Sequence, residues 1–343
     1  MGLEIIKAGM LTTVQDQGRR GYAALGFREC GACDKYAMKT ANLLAGNLDR
    51  PGFHAVLEFT MSGGTLRFTE PEIFALAGAD MSPALNGSPI SMYRPVVAKP
   101  GDLLSLGPAR RGLRLYLALY GGILVPEVMG SRSTDLNCHI GGLEGRALKP
   151  GDFLKSGATS QERWKLASVL RGREERWALK PEEQWLRLPS SPCRLRDGRR
   201  FPVLRTVAGP QEEAFTAGGR ADFVSAAYRL SGKCDRMACR LEGRKVEMKK
   251  PPDILSDGIV EGSIQVASDG LPMVMLADHQ TAGGYAKIGT VITTDIPVLA
   301  QLRPGDQVIF EFVDPMEGIR ACRKEEKKLA WLAKRLEKES IRP

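Results

Sequence analysis

No stretch of this 343-residue sequence is apolar over the length that a bilayer demands. The longest uncharged apolar run, Leu115 to Pro126, contains Gly121 and Gly122 and falls well short of the roughly 20 residues of a spanning helix. Lys7 and Asp16 interrupt the one N-terminal segment that resembles a secretory leader. Cysteine is sparse, seven residues at scattered spacings, an odd number that argues against a disulfide framework and for a reducing cytoplasm. Phosphate-loop signatures are missing: there is no G-x-x-x-x-G-K-[ST], and no G-x-G-x-x-G follows a strand pattern. A standard ATP site in this chain is therefore not expected. Cys30 and Cys33 form a C-x-x-C, but neither Cys234 with Cys239 nor Cys138-His139 supplies a second zinc-binding pair, so no metal site is expected.

What is present is the composition of a globular chain, 43% apolar and 26% charged, with the length of about two domains. The net charge of +9 would suggest nucleic acid were it spread over the surface. It is not. Residues 155–205 carry 13 basic against 6 acidic side chains and residues 319–343 carry 9 against 4, which leaves the rest of the chain at −3. Neither segment shows the aromatic interleaving of a single-strand binder, and solvated charge in a linker and a tail is the expected reading.

The sequence also resembles itself. Cys30-Gly-Ala-Cys-Asp-Lys-Tyr-Ala-Met38 matches Ser231-Gly-Lys-Cys-Asp-Arg-Met-Ala-Cys239, and Gly64-Thr-Leu-Arg-Phe68 matches Gly262-Ser-Ile-Gln-Val266. Pro95-Val-Val-Ala98 then matches Pro297-Val-Leu-Ala300, and Pro100-Gly-Asp102 matches Pro304-Gly-Asp306, all in one order and at offsets of 198 to 204. Two homologous modules are expected: 1–155 and 201–315, with 156–200 a basic linker or insertion and 316–343 an amphipathic helical tail.

Both modules read as β. Leu113, Leu115, Leu117 and Leu119 alternate with Arg114, Tyr116 and Ala118, and Val308, Phe310 and Phe312 alternate in the same way. Each Pro-Gly-Asp puts a fixed φ before a residue free to take positive φ, the recipe of a type II turn. Asp34 is placed to cap a helix over 35–44 that stops at Gly46, and Asp235 to cap a second over 236–241. Leu329, Leu332, Ala333 and Leu336 form the apolar stripe of the tail helix. Ala37-Met-Lys-Thr40 is similar to a biotin acceptor, but such a lysine sits on a hairpin tip, whereas Lys39 falls inside the capped helix.

Three Gly-rich polar runs remain: Thr12 to Gly21, Gly130 to Asp135, and Ala277 to Tyr285, which holds His279. Each either cradles a polar ligand or closes a barrel through hydrogen bonds. In their order they resemble the allophanate hydrolase subunit 2 family of biotin-dependent carboxyltransferases. The match runs from T-T-x-Q-D-x-G-R-x-G (Thr12 to Gly21) through S-G-A-M-D (Cys30 to Asp34), A-N-x-L-x-G-N (Ala41 to Asn47) and G-S-R-S-T (Gly130 to Thr134). It continues with G-P-Q (Gly209 to Gln211), S-D-R-M-G-x-R-L (Cys234 to Leu241) and D-R-Q-T-x-G-G-Y (Asp278 to Tyr285). Cys replaces Ser at 30, Met at 33 and Ser at 234; Ala replaces Gly at 238 and His replaces Arg at 279, so activity is expected to differ wherever the family residue touches substrate.

The resemblance implies a mostly β fold of two tandem cyclophilin-like barrels, with a few short helices. One branch of the family resembles the third subunit of an ATP-dependent 5-oxoprolinase, which opens the lactam of 5-oxo-L-proline to L-glutamate together with subunits A and B. Another is similar to part of urea carboxylase and moves CO2 from a partner's carboxybiotin to urea or a related amide. A third reading is a non-catalytic regulator that binds a Kip-inhibitor-like B subunit. Amide chemistry of either kind needs donors aimed at a developing oxyanion and a group that handles the amide proton. Asp278, Gln280 and Tyr285 are the expected catalytic residues. Gln15, Asp16, Arg132, Thr281, Gly283 and Gly284 are expected to bind substrate at the same mouth, with ATP used by the complex rather than held in a P-loop here.

Overall fold

The computed structural model describes residues 2–49, 52–170, 174–179, 192–196, 198–251 and 253–341. The chain forms two compact units, Met1–Arg20 with Cys30–Leu188 and Lys327–Pro343, and Gly21–Glu29 with Pro189–Glu326. The fold class is the expected one, mostly β with a few helices and a C-terminal helix, Pro315–Ile341.

In the first unit a seven-stranded sheet includes Gly2–Lys7, Thr65–Phe68 and Leu103–Ser105, and a five-stranded sheet has the order Leu11–Gln15, Val56–Thr60, Arg111–Leu119, Glu72–Asp80, Pro95–Ala98. Side chains from both share one core, in which Phe68 and Phe74 stack at 5.0 Å. The alternation over 113–119 sorts residues between two cores. Leu115, Leu117 and Leu119 enter the core shared by the sheets, while Tyr116 and Ala118 face helix Lys35–Leu44 and join Leu170, Trp177, Leu332 and Leu336. The expected stripe of the tail thus covers an apolar sheet face, with Leu332 and Leu336 fully buried.

The stretch expected as a basic linker or insertion packs in part on the first unit. It carries helices Ser160–Leu170 and Glu174–Trp177, and Leu170, Trp177 and Leu179 sink into the second core. Charge density suggested solvent, but the few apolar residues lie where they can be buried, and Arg163 pairs with Glu70 and, at 3.4 Å, with Glu72. Residues 180–191 of that stretch lie outside the described residues.

The second unit is a closed ring of seven strands: Arg199–Ala208, Lys287–Val291, Ser263–Val266, Pro272–Met275, Ala238–Glu242, Ala227–Leu230 and Gln307–Phe312. Parallel pairing of Val203 to Thr206 with Ile309 to Phe312 closes it. Phe223 stacks on Phe310 at 4.5 Å inside. A two-stranded ribbon, Asp253–Gly258 with Ala282–Tyr285, is a separate sheet.

Some repeated motifs adopt the same structure in both units. Gly101 and Gly305 have φ of +90° and +94°, and each Asp folds back on the turn: Asp102 accepts from Lys99 N at 2.7 Å and Asp306 from Arg303 N at 2.8 Å. Asp34 caps its helix by accepting from Ala37 N at 2.8 Å, and Gly46 at φ +98° follows the helix end, so Lys39 is helical as expected. Asp235 does not cap a helix. It accepts from Met237 N and Ala238 N at 2.7 and 3.0 Å in a tight turn, and Ala238–Glu242 is a strand, because Cys239 and Leu241 alternate into a barrel wall. Likewise Pro95 opens a strand, whereas Pro297 lies in the first turn of helix Ile296–Gln301, where its missing N–H costs nothing. Cys33 is buried, but Cys234, its counterpart by sequence, is partly exposed.

Candidate functional site

In the first unit the expected residue Gln15 ends the strand Leu11–Gln15, Asp16 follows it, and both meet the Gly130 to Asp135 run. Asp16 is a hub. Its Oδ1 accepts from Ser133 Oγ (2.5 Å), Ser131 Oγ (2.7 Å) and Gly18 N (2.9 Å), and its Oδ2 from Arg132 N (2.6 Å). Gln15 is fully buried; its Nε2 donates to Thr13 Oγ1 and Thr134 O, and its Oε1 has no hydrogen-bond partner among the described residues. Arg19 is buried beside them, donating to Val128 O and Ser133 O. The Arg132 guanidinium is partly exposed, with Nη1 3.2 Å from Glu127 Oε2 and Nε donating to Val125 O. Two motifs far apart in sequence thus interlock around one carboxylate, and Arg132 is the member that can still meet an anionic ligand.

In the second unit the loop of Asp278 to Tyr285 is held by Arg236. Arg236 Nε donates to Asp278 Oδ2 and Nη2 to Oδ1, both at 2.8 Å, and both side chains are 5% exposed. The Asp278 carbonyl also accepts from Arg28 Nη1 at 3.0 Å. Both carboxylate oxygens of Asp278 are taken up by the guanidinium fork, a geometry that suits positioning of the loop. His279 Nδ1 lies 2.8 Å from Gln280 O, and Thr281 O accepts from Ile259 N.

Beyond this point the polar groups converge. Gly283 stands where a Cβ would lie 2.8 Å from Gln265 Nε2 and 3.0 Å from Gln280 Nε2. Gln265 is 1% exposed; its Nε2 donates to Tyr285 O at 3.4 Å and its Oε1 has no hydrogen-bond partner among the described residues. Across the sheet from Gln265 is Lys287, buried, with Nζ donating to Asp257 Oδ2 at 2.5 Å and to Gly258 O at 2.7 Å. Gln211 binds both ends of this pair, donating to Asp257 Oδ2 at 3.1 Å and accepting from Lys287 N at 3.2 Å. The hydrogen bond from Lys287, reinforced by that from Gln211, holds the Asp257 carboxyl below the usual carboxylate range. Three carboxamides, a buried ammonium and a bare glycine make a site that can donate to and accept from an amide at once.

The expected residues therefore divide. Asp278, Gln280, Thr281, Gly283, Gly284 and Tyr285 lie on one loop and strand of the second unit, and Gln15, Asp16 and Arg132 belong to the first. Gln265, Lys287 and Asp257 were not singled out from sequence. The available signal was a lysine inside the apolar strand Lys287–Val291, but sequence does not reveal that its amine is buried.

The protein is thus of the mostly β class, with a closed seven-stranded barrel that carries an amide-rich polar cluster. The family model described as "Carboxyltransferase domain, subdomain A and B" matches residues 25–312, and the chain belongs to that family. The chain is 35% identical over 339 residues to the C subunit of 5-oxoprolinase from Escherichia coli, covering 98% of this chain and 100% of that one. It is 33% identical to the C subunit of 5-oxoprolinase from Haemophilus influenzae, over 94% of this chain and 95% of the relative. The crystal structure of the K. lactis urea amidolyase is similar with a TM-score of 0.79 and 25% identity, over 96% of this chain but 20% of that much longer one.

Proposed function

We propose that this chain is a subunit of an ATP-dependent 5-oxoprolinase complex, opening the lactam of 5-oxo-L-proline to L-glutamate in company with subunits A and B. The observation that carries this reading is the end-to-end correspondence with the C subunits of two 5-oxoprolinases, in contrast with the small share of the urea enzyme that is matched. The site geometry is consistent with it. A lactam presents one carbonyl acceptor and one N–H donor, and the cluster supplies Gln280 Nε2 and the Lys287 ammonium as donors with Gln265 Oε1 as acceptor.

In this reading Gln280, Thr281 and the backbone of Gly283 and Gly284 orient the lactam and stabilise charge on its oxygen as the C–N bond lengthens. The Tyr285 hydroxyl lies on the same strand and is assigned to the proton that the departing nitrogen needs. Asp278 acts through Arg236 to position the loop. In the first unit Arg132 is the group suited to a carboxylate, with Asp16 and Gln15 fixing its loop. The sequence holds no phosphate loop, so the phosphate chemistry is assigned to the partners and no step is routed through it here.

The test is co-expression with candidate A and B subunits and measurement of glutamate released from 5-oxoproline and ATP. Release that needs this chain supports the reading. Assembly without release, under conditions where A and B are folded, removes it. A second reading, biotin-dependent carboxyl transfer to urea or a related amide, is favoured by the fold shared with urea amidolyase. It predicts that carboxybiotin on a partner is consumed only when urea or that amide is added. Assembly with the B subunit and neither turnover would leave the regulatory reading.

A further inference from the structure

Cys234 and Cys239 flank the turn that presents Arg236, and neither serves the chemistry above. The turn is closed by Asp235 N donating to Ala238 O at 3.1 Å. In a two-stranded antiparallel turn the next pair outward is a non-hydrogen-bonded one, with Cα atoms about 4.5 Å apart, the closest cross-strand approach and within disulfide range. Cys234 and Cys239 are the residues next outward from the Asp235–Ala238 contact. Their thiols are hydrogen-bonded to each other, and Cys234 Sγ also donates to Arg240 O at 3.5 Å. They differ in access: Cys234 is partly exposed and Cys239 is buried.

We infer that Cys234 and Cys239 form a peroxide-oxidisable dithiol, with Cys234 the attacking thiol and Cys239 the resolving one. In the first step the Cys234 thiolate attacks hydrogen peroxide. An S–O bond forms, the O–O bond breaks and hydroxide leaves, so the sulfur is oxidised by two electrons as the peroxide is reduced. In the second step Cys239 sulfur attacks the sulfenic sulfur. The S–S bond forms, the S–O bond breaks, and water departs with the Cys239 proton. A dithiol reductant reverses the sequence.

The electrostatics agree with these roles. The hydrogen bond from Cys239, aided by the backbone of Arg240 and by Ser231, outweighs burial and draws the Cys234 thiol down to about 7. At pH 7 this raises the thiolate fraction roughly 16-fold over a free cysteine, while the lower basicity reduces intrinsic nucleophilicity about fivefold, for a net gain of about threefold. The bridge would close a ring around Asp235, Arg236, Met237 and Ala238 and so fix the turn from which Arg236 holds Asp278.

The experiment uses the full chain treated with hydrogen peroxide at pH 7, alkylated and digested with trypsin. Cleavage after Lys233, Arg236 and Arg240 places the two cysteines on separate short peptides, so the bridge is read as residues 234–236 joined to 237–240. Expected results are that linked pair, its loss after dithiothreitol, and accumulation of a dimedone adduct at Cys234 in Cys239→Ser. The wild-type Cys234 should react with peroxide about threefold faster than free cysteine at pH 7. Full alkylation of both thiols after peroxide, or linkage through the exposed Cys138 or Cys193 in place of this pair, would overturn the inference. If Cys239→Ser does not fold, Cys234→Ser serves. It restores the family residue, and persistence of a modified Cys239 in it would equally overturn the assigned roles. None of these readouts depends on turnover, so the outcome is independent of the proposed function.

Discussion

Arg236 grips Asp278 through two parallel hydrogen bonds of 2.8 Å, joining a barrel turn to the loop that carries most of the expected site. Both partners are buried, and removing one leaves the other as an uncompensated charge. Arg236→Ala or Asp278→Ala is expected to destabilise the second unit by about 3–5 kcal/mol, whereas the double change Arg236→Met with Asp278→Leu recovers most of that loss. Denaturant unfolding followed by near-ultraviolet signals checks this. Full additivity of the two single losses would show that the pair is not coupled.

Glu72 offers a pH test in the first unit. Burial pushes its carboxyl up to about 7, against the opposing pull of Arg163. Between about pH 4.5 and 7 the folded chain keeps a proton that the unfolded chain has lost, so this group's contribution is complete below pH 4.5 and falls as pH rises through 7. The difference is roughly 3 kcal/mol. Glu72→Gln is expected to flatten that part of the stability profile and to raise stability at pH 8, with Arg163 still paired to Glu70. An unchanged profile between pH 5 and 8 would refute the assignment.

Asp16 accepts four hydrogen bonds from two loops. Asp16→Ala leaves two backbone N–H groups and two hydroxyls to find other partners, at a cost of about 3 kcal/mol or more. Asp16→Asn should cost less, since one amide oxygen still accepts. Thermal unfolding of both variants should give that order, and protection of the Gly18 and Arg132 amides in hydrogen exchange should fall first.

Gly283 is expected to separate folding from function. A Cβ there meets Gln265 Nε2, Gln280 Nε2 and Ile259 Cδ1 at 2.6 to 3.0 Å, all far ends of flexible side chains. Gly283→Ala should therefore fold, with a stability loss of about 1–2 kcal/mol from crowding, and lose glutamate release in the assembled complex by tenfold or more. Normal turnover in a folded Gly283→Ala complex would remove the carboxamide cluster from the proposed site.

Much of the architecture was legible before folding because it rests on local rules. Period-two alternation over 113–119 and 307–312 names strands, Pro-Gly-Asp names turns, and Asp34 names a helix start, each from the preferences of a few neighbouring residues. The same rules misplaced Asp235, whose side chain satisfies a turn and a helix cap equally well, and they do not separate Pro297 from its repeat counterpart Pro95, since the ring suits either a strand edge or a first helical turn. Tertiary packing chose between them.

The order of motifs by itself determined the family and the mostly β fold, because a chain of short patterns in fixed sequence survives without knowledge of contacts. Only the tertiary structure decided what those patterns touch. It committed Asp278 to Arg236, buried Gln15, set Gln265 beside Lys287, and drew Leu170, Trp177 and Leu179 together with Leu332 and Leu336 of the tail helix into the first unit's core. Burial and long-range pairing depend on which distant strands meet, and residue spacing along one chain carries no record of that.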